Sequence, residues 1–280
     1  MAFKTLELSD KKIFDEFFKR FPPKISELTF TNLFSWRTSK DYMFNLLDEH
    51  LIISFENEFL QPIGKTPEKI MEKLLKEKKD MIFERIEKSV AMLLSNKFLV
   101  EEERDMFDYV YSLRDLSELK GNQFEPKRNL VKQAEKYNPE VCRLTESNVN
   151  DFFRLQQEWC NLRSCENNKL LSDENKAILE ALSNFKEFNL CGTCIRIKGK
   201  LAAFAIGEKL NEDTYVEHFE KGDLNYKGIY QYVLKEFASA LSEKTVYLNR
   251  EQDLGIPGLR KAKESYHPVK MIEKYRIRNK

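Results

Sequence analysis

The chain has 280 residues, 41% of them hydrophobic and 33% charged, with a formal net charge of +1 and a pI near 7.6. That balance excludes a disordered chain and a dedicated DNA-binding protein, and the length suits two domains better than one small core. The longest apolar run is Leu201–Ile206, so no integral membrane segment is expected. The opening residues lack the apolar stretch of a secretory signal, and five cysteines, an odd number, predict free thiols in a reducing, cytoplasmic compartment.

In chain order, Ser9 is a candidate cap for a helix carrying Ile13, Phe14, Phe17, Phe18 and Phe21, which Pro22 and Pro23 stop. A second helix is expected over Ile25–Trp36. The period then changes, and Tyr42–Leu47, Leu51–Phe55 and Phe59–Ile63 read as a meander of three strands. Pro67 opens a helix to Lys78, followed by a strand over Met81–Ile86 and a short helix over Val90–Leu94. Asp108–Leu113 is β-like and runs into a polar loop over 114–122, and a helix from Pro126 to about Tyr137 ends at Asn138-Pro139.

The order of elements then restarts. A strand over Val141–Leu144 precedes two helices, one from Ser147 to about Trp159 and one from Asp173 to Phe188. Three strands follow at Gly192–Ile197, Leu201–Leu210 and Thr214–Glu220, the first two joined by a tight turn at Lys198-Gly199-Lys200. Gly228 opens a helix to about Ser242, and a strand at Thr245–Leu248, a loop, a helix from Pro257 and a strand over Val269–Ile277 close the chain. The recurrence predicts an α/β (α+β) protein made of two copies of one plan, residues 1–137 and 138–280.

Residues 245–280 hold nine Lys/Arg against four Asp/Glu, a local excess that marks a surface for something anionic. In the helix from Pro257, Arg260 and Lys263 are spaced to lie on one side. Asn249, Arg250, Glu251 and Asp253 follow a strand end, where α/β proteins place ligand contacts, although a solvent-facing turn would look the same. On the strand before Gly222, simple alternation puts His218 and Glu220 on one face and Glu217 and Phe219 on the other. A titratable pair of that kind suits a general base; an edge strand with a solvated polar face has the same pattern. Asn225, Lys227 and Gly228 sit at a strand-to-helix turn where backbone N–H groups can meet phosphate. Arg114, Asp115, Lys120, Lys127 and Arg128 form a further charged cluster. A zinc site from Cys160, Cys165, Cys191 and Cys194 is not expected, because the second pair begins a strand and residues three apart there point to opposite faces. No metal is assigned.

The runs HFEKGD at 218–223, YKGIYQ at 226–231, NREQDLG at 249–255 and GLRKAKESYHP at 258–268, with YVYSLRDLSELKG at 109–121 and KRN at 127–129, resemble soluble bacterial proteins built on the C-terminal domain of lysylphosphatidylglycerol synthases. The resemblance implies two tandem GNAT-like domains, each a twisted mixed β-sheet flanked by helices. It also implies transfer of an acyl or aminoacyl group from a phosphate-bearing donor, aminoacyl-tRNA or acyl-CoA, to an amine or hydroxyl. Neither donor would be permanently bound. Where GNAT enzymes carry an R/Q-x-x-G-x-G/A loop, this chain has Asn225, Gly228 and Tyr230, so the first and last positions depart from the pattern. His218 or Glu220 is then the expected base, with Asn225, Lys227, Gly228, Arg260 and Lys263 on the donor and Asn249, Arg250, Glu251, Asp253, Arg114, Lys120 and Arg128 lining a cleft. A non-catalytic binder of RNA or a phosphorylated metabolite on the same fold is the alternative.

Overall fold

The computed structural model describes residues 3–241 and 245–280. In chain order its elements are β1 (Lys4–Thr5), α1 (Lys11–Arg20), α2 (Phe30–Lys40), β2 (Met43–Leu47), β3 (His50–Phe55), β4 (Glu58–Phe59), α3 (Pro67–Glu77), β5 (Ile82–Glu87), α4 (Lys88–Leu94) and β6 (Leu99–Glu102). Then come β7 (Asp108–Ser112), α5 (Leu113–Glu118), α6 (Glu125–Glu135), β8 (Glu140–Arg143), α7 (Val149–Arg163), α8 (Lys169–Ser183), β9 (Cys191–Ile197) and β10 (Lys200–Lys209). The chain closes with β11 (Thr214–Gly222), α9 (Ile229–Ala240), β12 (Tyr247–Asn249), α10 (Pro257–Glu264), β13 (Lys270–Ile272) and β14 (Lys274–Arg278). Ser242, the expected end of the helix from Gly228, lies outside the described residues.

Two seven-stranded mixed sheets result, in the orders β1-β2-β3-β4-β5-β14-β6 and β13-β7-β12-β11-β10-β9-β8. From the β1 edge, three antiparallel pairings are followed by a parallel step from β4 to β5 and an antiparallel sixth strand, β14. From the β8 edge the same series recurs, with the parallel step from β11 to β12 and β7 as the antiparallel sixth strand. Each parallel step needs a crossover connection, which α3 and α9 supply. The expected repetition of one plan is present.

The compact units differ from a cut at 137/138. One comprises residues 1–109, 251–261 and 271–280; the other comprises 110–250 and 262–270. Both differences have one cause. A sheet's sixth strand is placed by hydrogen bonding to its fifth, and chain order has no bearing on that: β14 closes the first sheet and β7 lies within the second. A fragment of residues 138–280 lacks β7 with its buried Tyr111, and one of residues 1–137 lacks β14 with its buried Lys274. We expect neither fragment alone to show a cooperative urea transition. A dispersed amide spectrum from either would refute this.

In the first unit, Phe14 meets Phe30 and Phe44 edge-on at 5.3 and 5.1 Å, and Ile52, Met71, Leu74, Phe83 and Ile277 share a core. In the second, β10 is buried along Leu201–Gly207, as a central strand covered on both faces must be, and Phe152 lies 5.1 Å from Phe204. The expected polar loop at 114–122 is corrected. Its first part is α5, because the Ser112 side chain accepts a hydrogen bond from the Asp115 N–H and caps the helix.

The expectation of free thiols is corrected for four of the five cysteines. Cys142 and Cys194 are directly opposite across β8 and β9 and form a disulfide, and Cys160 and Cys165 form another. Cys191 stays free, and burial pushes its thiol up to about 11. Among the described residues no helix is long and apolar enough to cross a membrane, and no cluster of three or more His, Cys, Asp or Glu side chains is placed to hold a metal.

Candidate active site

The chemistry of the second unit gathers on β11, and an irregularity in that strand organises it. β10 and β11 pair in register from Ala203↔Gly222 to Ile206↔Phe219, after which Gly207 stands opposite Glu217. His218 is therefore the extra residue of a β-bulge. Gly207 permits the bulge: a Cβ there would sit 2.0 Å from the Val216 carbonyl oxygen. Only a residue without a side chain fits.

The bulge breaks the alternation that strand spacing implies. Glu217 and Glu220, three apart, reach the same guanidinium. Arg250 donates from Nη2 to Glu220 Oε2 at 2.6 Å and from Nε to Glu217 Oε2. The expected His218–Glu220 face is corrected, since His218 is buried with Nε2 2.9 Å from Glu208 Oε1 on β10. Arg250 reaches both carboxylates because β12, which precedes it, runs parallel to β11 with Asn249 beside Val216. Asn249 itself is fully buried.

Aromatic rings surround the guanidinium, with the Tyr266 and Tyr111 centroids 5.4 and 5.9 Å from Arg250 Cζ. Lys127 Nζ lies 4.0 Å from the Tyr266 centroid. The Tyr111 hydroxyl donates to the Lys263 carbonyl at 2.9 Å, and Lys263 Nζ donates to the Arg250 carbonyl. Close by in sequence, Lys221 is 2.7 Å from Glu174 and 4.3 Å from the Trp159 centroid, and Trp159 Nε1 donates to the Tyr230 hydroxyl at 3.1 Å.

Two carboxylates facing one guanidinium cannot both ionise freely. Burial pushes Glu220 well above the usual carboxylate range and Glu217 adds to this, while Arg250 pulls the other way. Glu217 Oε1 is buried without a hydrogen-bond partner. Burial, and then Arg250, lowers Lys127. The Glu220 side chain keeps 13% of its surface exposed, so a substrate proton can reach it.

A carboxyl raised on folding holds its proton to higher pH in the native state than in the unfolded one. Native stability is therefore undiminished by this group below the ordinary carboxylate range and falls as pH rises through the raised value. Glu220→Gln removes that loss. We expect the variant to be more stable than wild type at pH 8 and to converge with it near pH 4, read from urea midpoints. A less stable variant at pH 8 would show that the Arg250 contact outweighs burial.

The remaining expected site residues fall elsewhere. Arg260 is not an open cation, since Asp253 holds it at 2.8 and 2.9 Å and Asp105 at 2.6 Å. Lys263 is buried, so the basic side expected on α10 is corrected: neighbouring carboxylates and a backbone carbonyl take up both charges. Asp253 is fully buried, accepts from the Tyr109 hydroxyl at 2.6 Å and from the Gly255 N–H at 2.8 Å, and serves the fold. Glu251 accepts from Asn32 Nδ2 at 3.2 Å.

Arg114 and Lys120 are exposed and pair with Glu118, and Arg128 donates to the Leu119 and Gly121 carbonyls at the end of α5. Asn225 and Lys227 are exposed in the turn before α9. Gly228, at φ +87°, has a packing reason to be glycine, because a Cβ would lie 1.9 Å from the Leu130 carbonyl oxygen.

Sequence spacing does not single out Glu217, Tyr111 or Tyr266, and it places Lys127 only in a charged cluster. Gly207 within an otherwise apolar strand is the sequence signal that could have revealed the bulge.

The two mixed sheets, each flanked by helices, repeat one α/β plan. The family model described as phosphatidylglycerol lysyltransferase, C-terminal, matches residues 18–278, and the chain belongs to that family. A conserved protein of unknown function from Bacteroides thetaiotaomicron VPI-5482 is 32% identical, with a TM-score of 0.92 and 100% of both chains covered. L-PGS from Bacillus licheniformis shares the fold at 14% identity and a TM-score of 0.67, covering 96% of this chain and 92% of that one. FemX does so at 8% identity and 0.58, covering 99% and 97%. An uncharacterized protein of Mycoplasmoides gallisepticum is 22% identical over 177 residues, 61% of this chain, and the match spans 56% of that relative's length.

Proposed function

We propose that this protein is an acyl- or aminoacyl-transferase, moving its group from aminoacyl-tRNA or acyl-CoA to an amine or hydroxyl acceptor. The observation that carries the reading is the Glu217–Arg250–Glu220 cluster on the bulged strand, in a member of a family whose description names a lysyl transfer. The acceptor nitrogen or oxygen attacks the donor's acyl carbonyl. Its proton passes to the Glu220 carboxylate and then to the departing hydroxyl or thiol as the bond to the donor breaks. A carboxylate of raised pKa is a stronger base than an exposed one, and Arg250 keeps it oriented. Exposed Asn225 and Lys227 are the proposed contacts for donor phosphate. Binding of phosphate by Arg260 and Lys263 without catalysis is disfavoured, because both cations already have partners.

The test is transfer from panels of labelled aminoacyl-tRNA and acyl-CoA to small amines and alcohols, comparing wild type with Glu220→Gln. A loss of about 10²–10⁴-fold is expected. The wild-type rate should climb with pH as Glu220 loses its proton, and the variant's residual rate should not. Equal rates would remove the base from Glu220.

A further inference from the structure

The first unit has a cavity of about 370 Å³, lined among others by Phe3, Met43, Ser54, Phe55, Phe59 and Met81. That volume falls at the small end of the range for small-molecule sites. It lies where β2 begins, β3 ends and β5 is about to start. Part of its wall is apolar, with Phe3 and Phe59 ring centroids 5.8 Å apart. Ser54 breaks that wall: it lies opposite Met43 and Phe59 in the sheet, and its hydroxyl is buried with no hydrogen-bond partner. A buried hydroxyl without a partner is costly, and one lining a cavity is satisfied when a ligand supplies the partner.

The charged residues on the lining are Asp41, Glu56, Asp80 and Lys78, three carboxylates against one ammonium. Lys40 sits 3.5 Å from Glu56, but both side chains are largely exposed and such a pair is worth little. Asp41 and Asp80 line the cavity and are exposed. The C-terminal end of α3 lies immediately before Lys78 and adds a negative partial charge. Aromatic rings and carboxylates on one lining suit a cation and repel an anion.

We propose that this cavity is a binding site for a small organic cation: an ammonium group held by Asp41 and Asp80, an apolar body against Phe55, Phe59 and Met81, and a polar atom meeting the Ser54 hydroxyl. All of these residues belong to the first unit, so the site stands whether or not the transferase reading does.

The experiment is titration of the full chain, carrying ¹³C-methyl methionine, with 2-phenylethylamine, and in parallel with phenylacetate. Met43 and Met81 report directly because both line the cavity. The ammonium probe should shift these two methyl signals at millimolar concentrations, with phenylacetate at least about tenfold weaker. Asp41→Asn with Asp80→Asn should weaken the amine about tenfold, the equivalent of about 1.4 kcal/mol for the two charges together. Both changes are on the surface, so folding is preserved. No shift of Met43 and Met81 at about 10 mM amine, equal binding of phenylacetate, or an unaltered double variant would each overturn the proposal.

Discussion

Lys274→Ala is expected to remove about 3–5 kcal/mol of stability, the cost of leaving buried carboxylates without their cation. Lys274 is fully buried on β14, with Nζ 2.5 Å from Glu27 and 2.6 Å from Asp108. Burial works against its charge, but Asp108 and Glu27 outweigh that and hold the ammonium above its ordinary range. Asp108 also accepts from the Ser26 N–H and hydroxyl, each at 2.8 Å, and Glu27 lies 3.3 Å from Arg85, so each carboxylate keeps some compensation. The loss should appear as a lower urea midpoint. Lys274→Met, which keeps an unbranched apolar stem and removes the ammonium, should lose nearly as much, and adding Asp108→Asn to it should restore part. A loss under about 1 kcal/mol for Lys274→Met would mean that the stem's packing, not the ion pairs, holds the strand.

Gly207→Ala is expected to cost about 3 kcal/mol or more and to abolish the proposed transfer as well. Its new methyl would sit 2.0 Å from the Val216 carbonyl oxygen, part of a hydrogen-bonded strand that cannot yield as a flexible side chain could. Overpacking of a rigid interior costs on this scale. The sheet can relieve the clash by pushing β11 away, and that movement carries Glu217 and Glu220 off Arg250. Gly258→Ala is the control, since a Cβ there meets nothing within 4 Å and the residue lies in α10. It should change stability by no more than about 0.5 kcal/mol. If Gly207→Ala kept wild-type turnover and midpoint, the bulge would not be what aligns the carboxylates.

The two sites differ in how readable they were. Glu220, Arg250 and the strand before Gly222 were visible as polar residues inside an apolar pattern, because a half-buried strand repeats every two residues. That same rule failed at His218, where one inserted residue reverses every later side chain. Arg260 and Lys263 looked like a free basic face because spacing along a helix says nothing of what lies opposite. Their partners Asp253, Asp105 and the Arg250 carbonyl lie outside that helix, Asp105 as far as 155 residues away in sequence. Gly228 has the sequence setting of a phosphate turn, while its close neighbour is the Leu130 carbonyl on α6.

Local chemistry in the sequence therefore determined the strands and helices, the repeated plan, and the family: periodicity, prolines, caps and contiguous motifs act over a few residues at a time. Tertiary structure alone decided which strand completes each sheet, which carboxylates share a guanidinium, and which cations are already neutralised. Those outcomes depend on hydrogen bonds and desolvation between residues distant in the chain, which no local pattern encodes.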